Sequence, residues 1–298
     1  MVKYSGYDQL PLGTASREIT KGCLILEGGA WRTLYTQGAV DALMNAGIMM
    51  ETTIGVSAGA MSSLAYLSGQ IGFSAHINLL HRHDPEYCGM PAFAKEKTTT
   101  GFTYFVEVLM PKYHFDFERF NEPDRKLFVS VTNCRTGKPE YFEKGKCDIL
   151  RAVKASATLP YVSKMVEING VPYLDGGCSE RIPYDWAVRQ QFSKIVVLRT
   201  RDRTYRKTDS DTRRLNSIRY RRFPELGKAL EHSGINYNET IERIEADEKT
   251  GRCFVLAPQV PIEISRFEGD MERLGALYHQ GYSETENRIP LLREYLFS

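Results

Sequence analysis

The sequence predicts an α/β fold in which helices flank a central, mostly parallel sheet. Three observations point to it. Two strand–turn–helix units follow one another between residues 23 and 69. Short apolar strands then recur down the chain, with helical stretches between them. The composition is that of an ordinary globular protein, with 298 residues, 42% hydrophobic and 26% charged. This is enough chain for a large core in one domain or two. The net charge of +2 argues against nucleic acid as a partner.

Residues 1–20 are polar, carry Gly and Pro, and read as a loose arm. The first strand is Cys23-Leu24-Ile25-Leu26. The helix after it is marked by Leu34, Ala39, Val40, Leu43 and Met44 and stops at Asn45-Ala46-Gly47. A second strand at 52–56 leads into a helix at 58–67 that ends at Gly69. Residues 74–120 are mixed and aromatic-rich. A strand at 127–132, a turn through Arg135-Thr136-Gly137-Lys138 and a strand at 140–142 make a hairpin. A helix at 148–157 stops before Pro160. Residues 165–168 and 172–174 flank Asn169-Gly170, the favoured tight hairpin turn. The run 194–198 (KIVVL) is a buried strand, 201–250 reads as charged helices, and 253–256 returns as a strand. The tail carries two helical stretches. If the last strand rejoins the first sheet, 201–250 is a basic helical insertion and 21–298 is a single domain.

Cys23, Cys88, Cys134, Cys147, Cys178 and Cys253 are scattered, with no C-x-x-C pair. They read as buried, reduced thiols rather than a disulfide frame or zinc site. No apolar leader opens the chain, and no apolar run approaches a membrane span. The expectation is a soluble cytoplasmic protein.

The chemistry gathers at Gly55-Val56-Ser57-Ala58-Gly59. A serine at the tip of a sharp strand-to-helix turn needs small neighbours, because flanking chain passes close by, and Gly55 and Gly59 supply them. The turn exposes the hydroxyl at a helix N-terminus, where developing negative charge is favoured. The alternative is a plain structural turn. One unit earlier, Gly28-Gly29-Ala30 occupies a second strand-to-helix junction. Neighbouring parallel strands bring that loop beside Ser57, where its amides can serve as an oxyanion hole. Arg32 can brace the loop or meet a phosphate.

A serine hydroxyl needs a base. His76, His81, His83 and His114 offer no catalytic context. His232 and His279 lie late enough for an α/β-hydrolase triad but sit outside glycine-rich strand ends. A carboxylate is the other option. Asp175 ends a strand and precedes Gly176-Gly177, which gives close access to a neighbouring loop, and partial burial would raise its basicity. A common D-G turn is the alternative.

Glu27-Gly28-Gly29-Ala30-Trp31-Arg32, Gly55-Val56-Ser57-Ala58-Gly59 and Asp175-Gly176-Gly177, in this order, resemble the patatin-like phospholipase family, as does the A-S-x-x-x-P segment from Ala155 to Pro160. The resemblance covers roughly residues 22–200. It implies a three-layer α/β/α fold and a Ser57–Asp175 dyad without histidine. Gly28, Gly29 and Ala30 form the oxyanion hole, and Arg32, Gly55, Gly59 and Gly176 support the site. It implies a lipid acyl hydrolase of phospholipase A, lysophospholipase or esterase type that works through an acyl-enzyme, with no metal or organic cofactor. Two departures stand out. Ala30 and Thr33 replace glycines of the family loop, and the Cβ of Ala30 opposes a positive φ. Trp31 is bulky for a lipid-ester site. A triad esterase and a catalytically weak lipid-binding protein remain the alternatives.

Lipid or other ester is thus the expected partner. Arg199, Arg201, Arg203, Arg206, Lys207, Arg213, Arg214, Arg219, Arg221 and Arg222, against Asp202, Asp209 and Asp211, make a basic stretch. A solvated, partly ion-paired surface is the favoured reading, and peripheral contact with an anionic membrane is the other. The aromatic run 101–120 reads equally as a lid or acyl-chain wall and as core.

Overall fold

The computed structural model describes residues 2–208 and 212–298. Strand β1 (Thr20–Leu26) leads into helix α1 (Thr33–Asn45), and β2 (Met50–Val56) into α2 (Ala58–Ser68). Helices α3 (Phe73–His81) and α4 (Met90–Glu96) precede the hairpin of β3 (Lys126–Asn133) and β4 (Pro139–Glu143). Then come α5 (Ile149–Ser156), a second hairpin of β5 (Val166–Ile168) and β6 (Val171–Asp175), α6 (Tyr184–Arg189) and β7 (Ile195–Leu198). The chain closes with α7 (Arg213–Arg219), α8 (Pro224–Lys249), β8 (Cys253–Leu256) and α9 (Met271–Phe297).

Among the described residues one 8-stranded sheet organises these elements, in the order β8-β7-β1-β2-β3-β6-β5, with β4 pairing β3. The first five in that order run parallel, and β4, β5 and β6 are antiparallel. The alternation of side chains across the pleat builds two cores. Leu24, Leu26, Val196, Leu198, Phe254 and Leu256 face α1, α2, α5 and α9. Cys23, Ile25, Ile195, Val197, Cys253 and Val255 face α6 and α8. Strands covered on both faces must be apolar throughout, which is why β7 reads Ile-Val-Val-Leu. The layers are therefore helix, sheet, helix. The strand β8 does pair with β7, so 199–252 leaves and re-enters this sheet.

Two expectations need correcting, and one reading left open is decided. The first twenty residues are not loose. Gly13–Thr14 pairs with Gln70–Ile71, Leu10 and Ala15 are buried, and Ser5 binds Glu272 through amide and hydroxyl. The tail is one helix, not two, and it continues through Pro290 because that residue lies on the exposed side. The run 101–120 forms helical turns whose Phe102, Phe105, Leu109, Met110, Phe115 and Phe120 enter the core, so it is core rather than lid.

Candidate active site

Strand register brings Ser57 and Asp175 together. On β3, Ser130 pairs with Val56, the last residue of β2. The next residue, Val131, pairs with Asp175, the last residue of β6. Because β4 covers the opposite edge of Ser130 and Val131, β2 and β6 share one edge and run toward each other. Ser57 Oγ donates to Asp175 Oδ2 at 2.7 Å. Both residues are buried, at 8% and 6% exposure.

The serine is held in strained backbone, φ 56° and ψ −127°, a conformation costing about 1–3 kcal/mol. Two contacts hold it there. Its amide donates to Ser156 Oγ at 2.7 Å, and Ser156 Oγ donates to Ser130 O at 2.6 Å. The segment containing Ser156 also braces the acid, since the Asp175 amide donates to Thr158 O at 2.9 Å. Gly59 lets α2 pass against β1, as a Cβ there would lie 2.4 Å from Leu26 O. Gly55 lies within the sheet, paired with Leu26 and Val129. Gly176 O accepts from Thr132 Oγ1 at 3.2 Å.

Burial pushes the Asp175 carboxyl above the ordinary carboxylate range. Hydrogen bonds from Ser57 and the Gly177 amide, and the charges of Arg181 and Arg266, work in the opposite direction.

Gly28, Gly29 and Ala30 flank the serine. Gly28 approaches so closely that a Cβ on it would stand 2.7 Å from Ser57 Cβ. Ala30 does adopt a positive φ of 49°, so the methyl group does not forbid the turn. The cost is about 1–2 kcal/mol. Among the described residues the amides of Gly28, Gly29 and Ala30 have no hydrogen-bond partner. The loop is tied down from β7 instead, as the Thr200 amide donates to Glu27 Oε2 at 2.6 Å and Thr200 Oγ1 to Gly28 O at 3.0 Å.

Two cavities meet at Ser57. The smaller is lined by the three loop residues, Arg32, Asp175, Arg181, Leu230 and Arg266 among others. The larger is mainly apolar, with Leu34, Met61, Tyr87, Met90, Phe93, Leu159 and Phe267. Trp31 forms part of its wall and carries the Arg82 guanidinium on its ring, 4.6 Å from the centroid. No histidine lines either cavity. His232 is exposed, its Nδ1 2.8 Å from Lys228 O, and His279 packs against Tyr4 and Tyr278. The site therefore has no histidine in reach for a triad.

A family model described as "Patatin-like phospholipase" matches residues 24–188, more than half of the chain. The chain belongs to the patatin-like phospholipase family. At the level of the family it is thereby a lipid acyl hydrolase. A second model, a domain of unknown function (DUF6363), matches residues 223–297 of this patatin-like protein. It is 25% identical over 245 residues to the uncharacterized protein YjjU of Escherichia coli (strain K12), covering 80% of this chain and 69% of that one. It is 24% identical over 206 residues to the probable lipid hydrolase 463L of Invertebrate iridescent virus 6, covering 61% and 71%. The crystal structure of VipD from Legionella pneumophila overlaps 99% of this chain and 71% of its own, at 12% identity and a TM-score of 0.45.

Around the motif residues of this patatin-like protein stand others that sequence reading missed. The role of Ser156 was half visible, since its segment carries the family pattern. Thr200 and Arg266 had no local signal, because each reaches the site from an element distant in sequence, whereas Arg181 follows Asp175-Gly176-Gly177 closely but lies outside the motif.

The basic stretch is corrected in part. Arg199 is buried at 1% exposure, with Nη2 donating to Asp202 O, so it presents no charge to a surface. Arg203 and Arg206 pair with Glu248 and Glu245. Asp209 and Asp211 lie outside the described residues. Arg213, Arg214 and Arg219 on α7 are exposed, as are Arg221 and Arg222 beyond it. Among the described residues no helix is long and apolar enough to cross a membrane.

Proposed function

We propose that the protein cleaves carboxylic esters of lipids with Ser57 as nucleophile and Asp175 as its base. The observation that carries this is the 2.7 Å bond from Ser57 Oγ to Asp175 Oδ2, beside three amides with no partner. Ser57 Oγ attacks the ester carbonyl carbon and its proton passes to Asp175. The carbonyl oxygen becomes an oxyanion, and the amides of Gly28, Gly29 and Ala30 hold it. As the ester C–O bond breaks, the leaving alcohol takes the proton from Asp175, and an acyl-enzyme remains. Water then attacks the acyl carbon and gives its proton to Asp175. The second tetrahedral species collapses, the fatty acid leaves, and the proton returns to Ser57. The apolar larger cavity suits the acyl chain. Residues 21–298 act as one catalytic unit in this reading, because β8 returns to the sheet and α9 packs on α1. The exposed arginines around α7, beside exposed Leu215 and Ile218, suit peripheral contact with an anionic bilayer.

Fluorophosphonate labelling of the purified protein, read by mass spectrometry, tests the reading. The expected result is one adduct on Ser57, absent in Ser57→Ala and strongly slowed in Asp175→Asn. A folded protein that takes no adduct would instead be a lipid-binding relative without chemistry.

A further inference from the structure

The smaller cavity holds more positive charge than ester cleavage requires. Arg32, Arg181 and Arg266 reach it from three separate parts of the chain: the turn after β1, the turn after β6 and the segment before α9. Among the described residues none of the three side chains makes an ion pair or a hydrogen bond. The Nε atoms of Arg32 and Arg181 are buried without a partner, which is costly for a cation. Burial, together with the like charges of Arg201 and Arg266, brings the Arg32 guanidinium down to about 10. The one carboxylate lining the cavity is Asp175, and Ser57 and the Gly177 amide already occupy its oxygens. Three cations gathered around one committed anion fit an incoming group with more than one negative charge.

Phosphate matches the guanidinium fork in shape and charge. The cavity adjoins Ser57 and Asp175 and shares Ala30, Leu159 and Arg266 with the apolar chamber; with the acyl chain in that chamber, the leaving alcohol of a bound ester would lie in the smaller cavity. The smaller cavity is lined by no carboxylate other than Asp175 and by no aromatic ring, so nothing there would receive a choline or ethanolamine cation. A phosphomonoester carries close to two negative charges at neutral pH. We propose that Arg32, Arg181 and Arg266 form a phosphate seat that selects esters whose leaving alcohol bears a phosphomonoester, such as 1-acylglycerol 3-phosphate. The selectivity rests on the hydrolase reading above, whereas the seat itself does not.

Two measurements separate the seat from the chemistry. The first compares kcat/KM for three lipids of one acyl chain, each as monomers: 1-acylglycerol 3-phosphate, 1-acylglycerophosphocholine and 1-acylglycerol. The phosphomonoester is expected to lead the neutral lipid by about tenfold or more. The lead should shrink in Arg181→Gln and Arg266→Gln, return in part in the lysine variants, and weaken at about 0.5 M salt. The second follows thermal unfolding of Ser57→Ala with glycerol 3-phosphate, inorganic phosphate or glycerol. Glycerol 3-phosphate is expected to raise the midpoint, and Arg266→Gln, an exposed position, should abolish the rise. Stabilisation without turnover of any lipid would leave the seat standing and sink the hydrolase reading. Equal turnover of all three lipids, with no stabilisation by glycerol 3-phosphate or inorganic phosphate, would overturn the seat while the hydrolase reading survives. Stabilisation by inorganic phosphate, with no preference among the lipids, would overturn the leaving-group assignment.

Discussion

Replacing Gly28 by alanine tests the oxyanion loop at its tightest point. The new Cβ would lie 2.7 Å from Ser57 Cβ and 2.8 Å from Val56 O. Carbon contacts relax near 3.5–4.0 Å, so the loop must move by about 1 Å. It cannot do so freely, because Thr200 holds Glu27 and Gly28 from the other side. A displacement of that size at a reacting centre costs about 10²-fold in rate, and losing one oxyanion donor costs about 10²–10³. Overpacking should also remove about 1–3 kcal/mol of stability. The assay is kcat on a soluble ester, with urea unfolding alongside. Ala30→Gly is the contrast. It relieves a positive φ of 49° without crowding Ser57. Relief of about 1–2 kcal/mol is offset by about 0.5–1 kcal/mol of glycine entropy, so stability should change little and kcat should stay within about threefold. Wild-type kcat and stability in Gly28→Ala would refute the placement of the loop in catalysis.

Ser156→Ala removes the acceptor of the buried Ser57 amide and the donor to Ser130 O. At about 1–3 kcal/mol per orphaned group, unfolding in urea should shift by several kcal/mol, and fluorophosphonate labelling should slow as the strained turn relaxes. Asp175 must be ionised to take a proton, and burial raises its pKa, so kcat/KM should fall as pH falls through a limb above about 3.9, the ordinary aspartate value. A pH–rate profile centred at or below that value would count against Asp175 as the base. On the other face of α1, Asp41 accepts from the Tyr278 hydroxyl at 2.7 Å, and burial raises its pKa to about 7. The native state then binds the proton more tightly than the unfolded chain. Its contribution is present below about 4 and is lost as pH rises to about 7, on the order of 4 kcal/mol. Unfolding at pH 5 and pH 8 should show about 2–3 kcal/mol of that loss in the wild type and not in Asp41→Asn.

Sequence periodicity was enough for the elements that decide the site, because strand alternation and the glycine turns are local. It failed where distant packing decides. The aromatic run through Phe102, Phe105 and Phe115 has the composition of a lid, yet its neighbours make it core. The single long α9 runs past Pro290 because its apolar side, including Leu274, Tyr278 and Leu292, is held by the core cluster. Local pattern offered Asp175 as a candidate base beside a plain turn, and family resemblance singled out its pairing with Ser57, since no local pattern gives the distance between a turn after β2 and the end of β6. Arg266 lay beyond any window of sequence for the same reason.

The distance between serine and acid depends in the end on the register of β6 on β3. Strand β6 enters from the hairpin at Asn169 and Gly170, both at positive φ, 51° and 75°. Two residues with positive φ match the twist of a tight hairpin and fix Ile168 opposite Val171. On its other edge β6 pairs with β3, setting Tyr173 on Asn133, Leu174 on Thr132 and Asp175 on Val131. Slipping by one residue would turn the Asp175 side chain to the other face of the sheet, away from Ser57. The register is held at the far end as well, where Thr132 Oγ1 donates to Asp175 O at 2.8 Å. A histidine-based site can correct such errors by swinging a ring on a loop, whereas a carboxylate in direct contact with the serine has no intermediary. In the proposed dyad, backbone precision at β6 would take the place of the third residue of a triad.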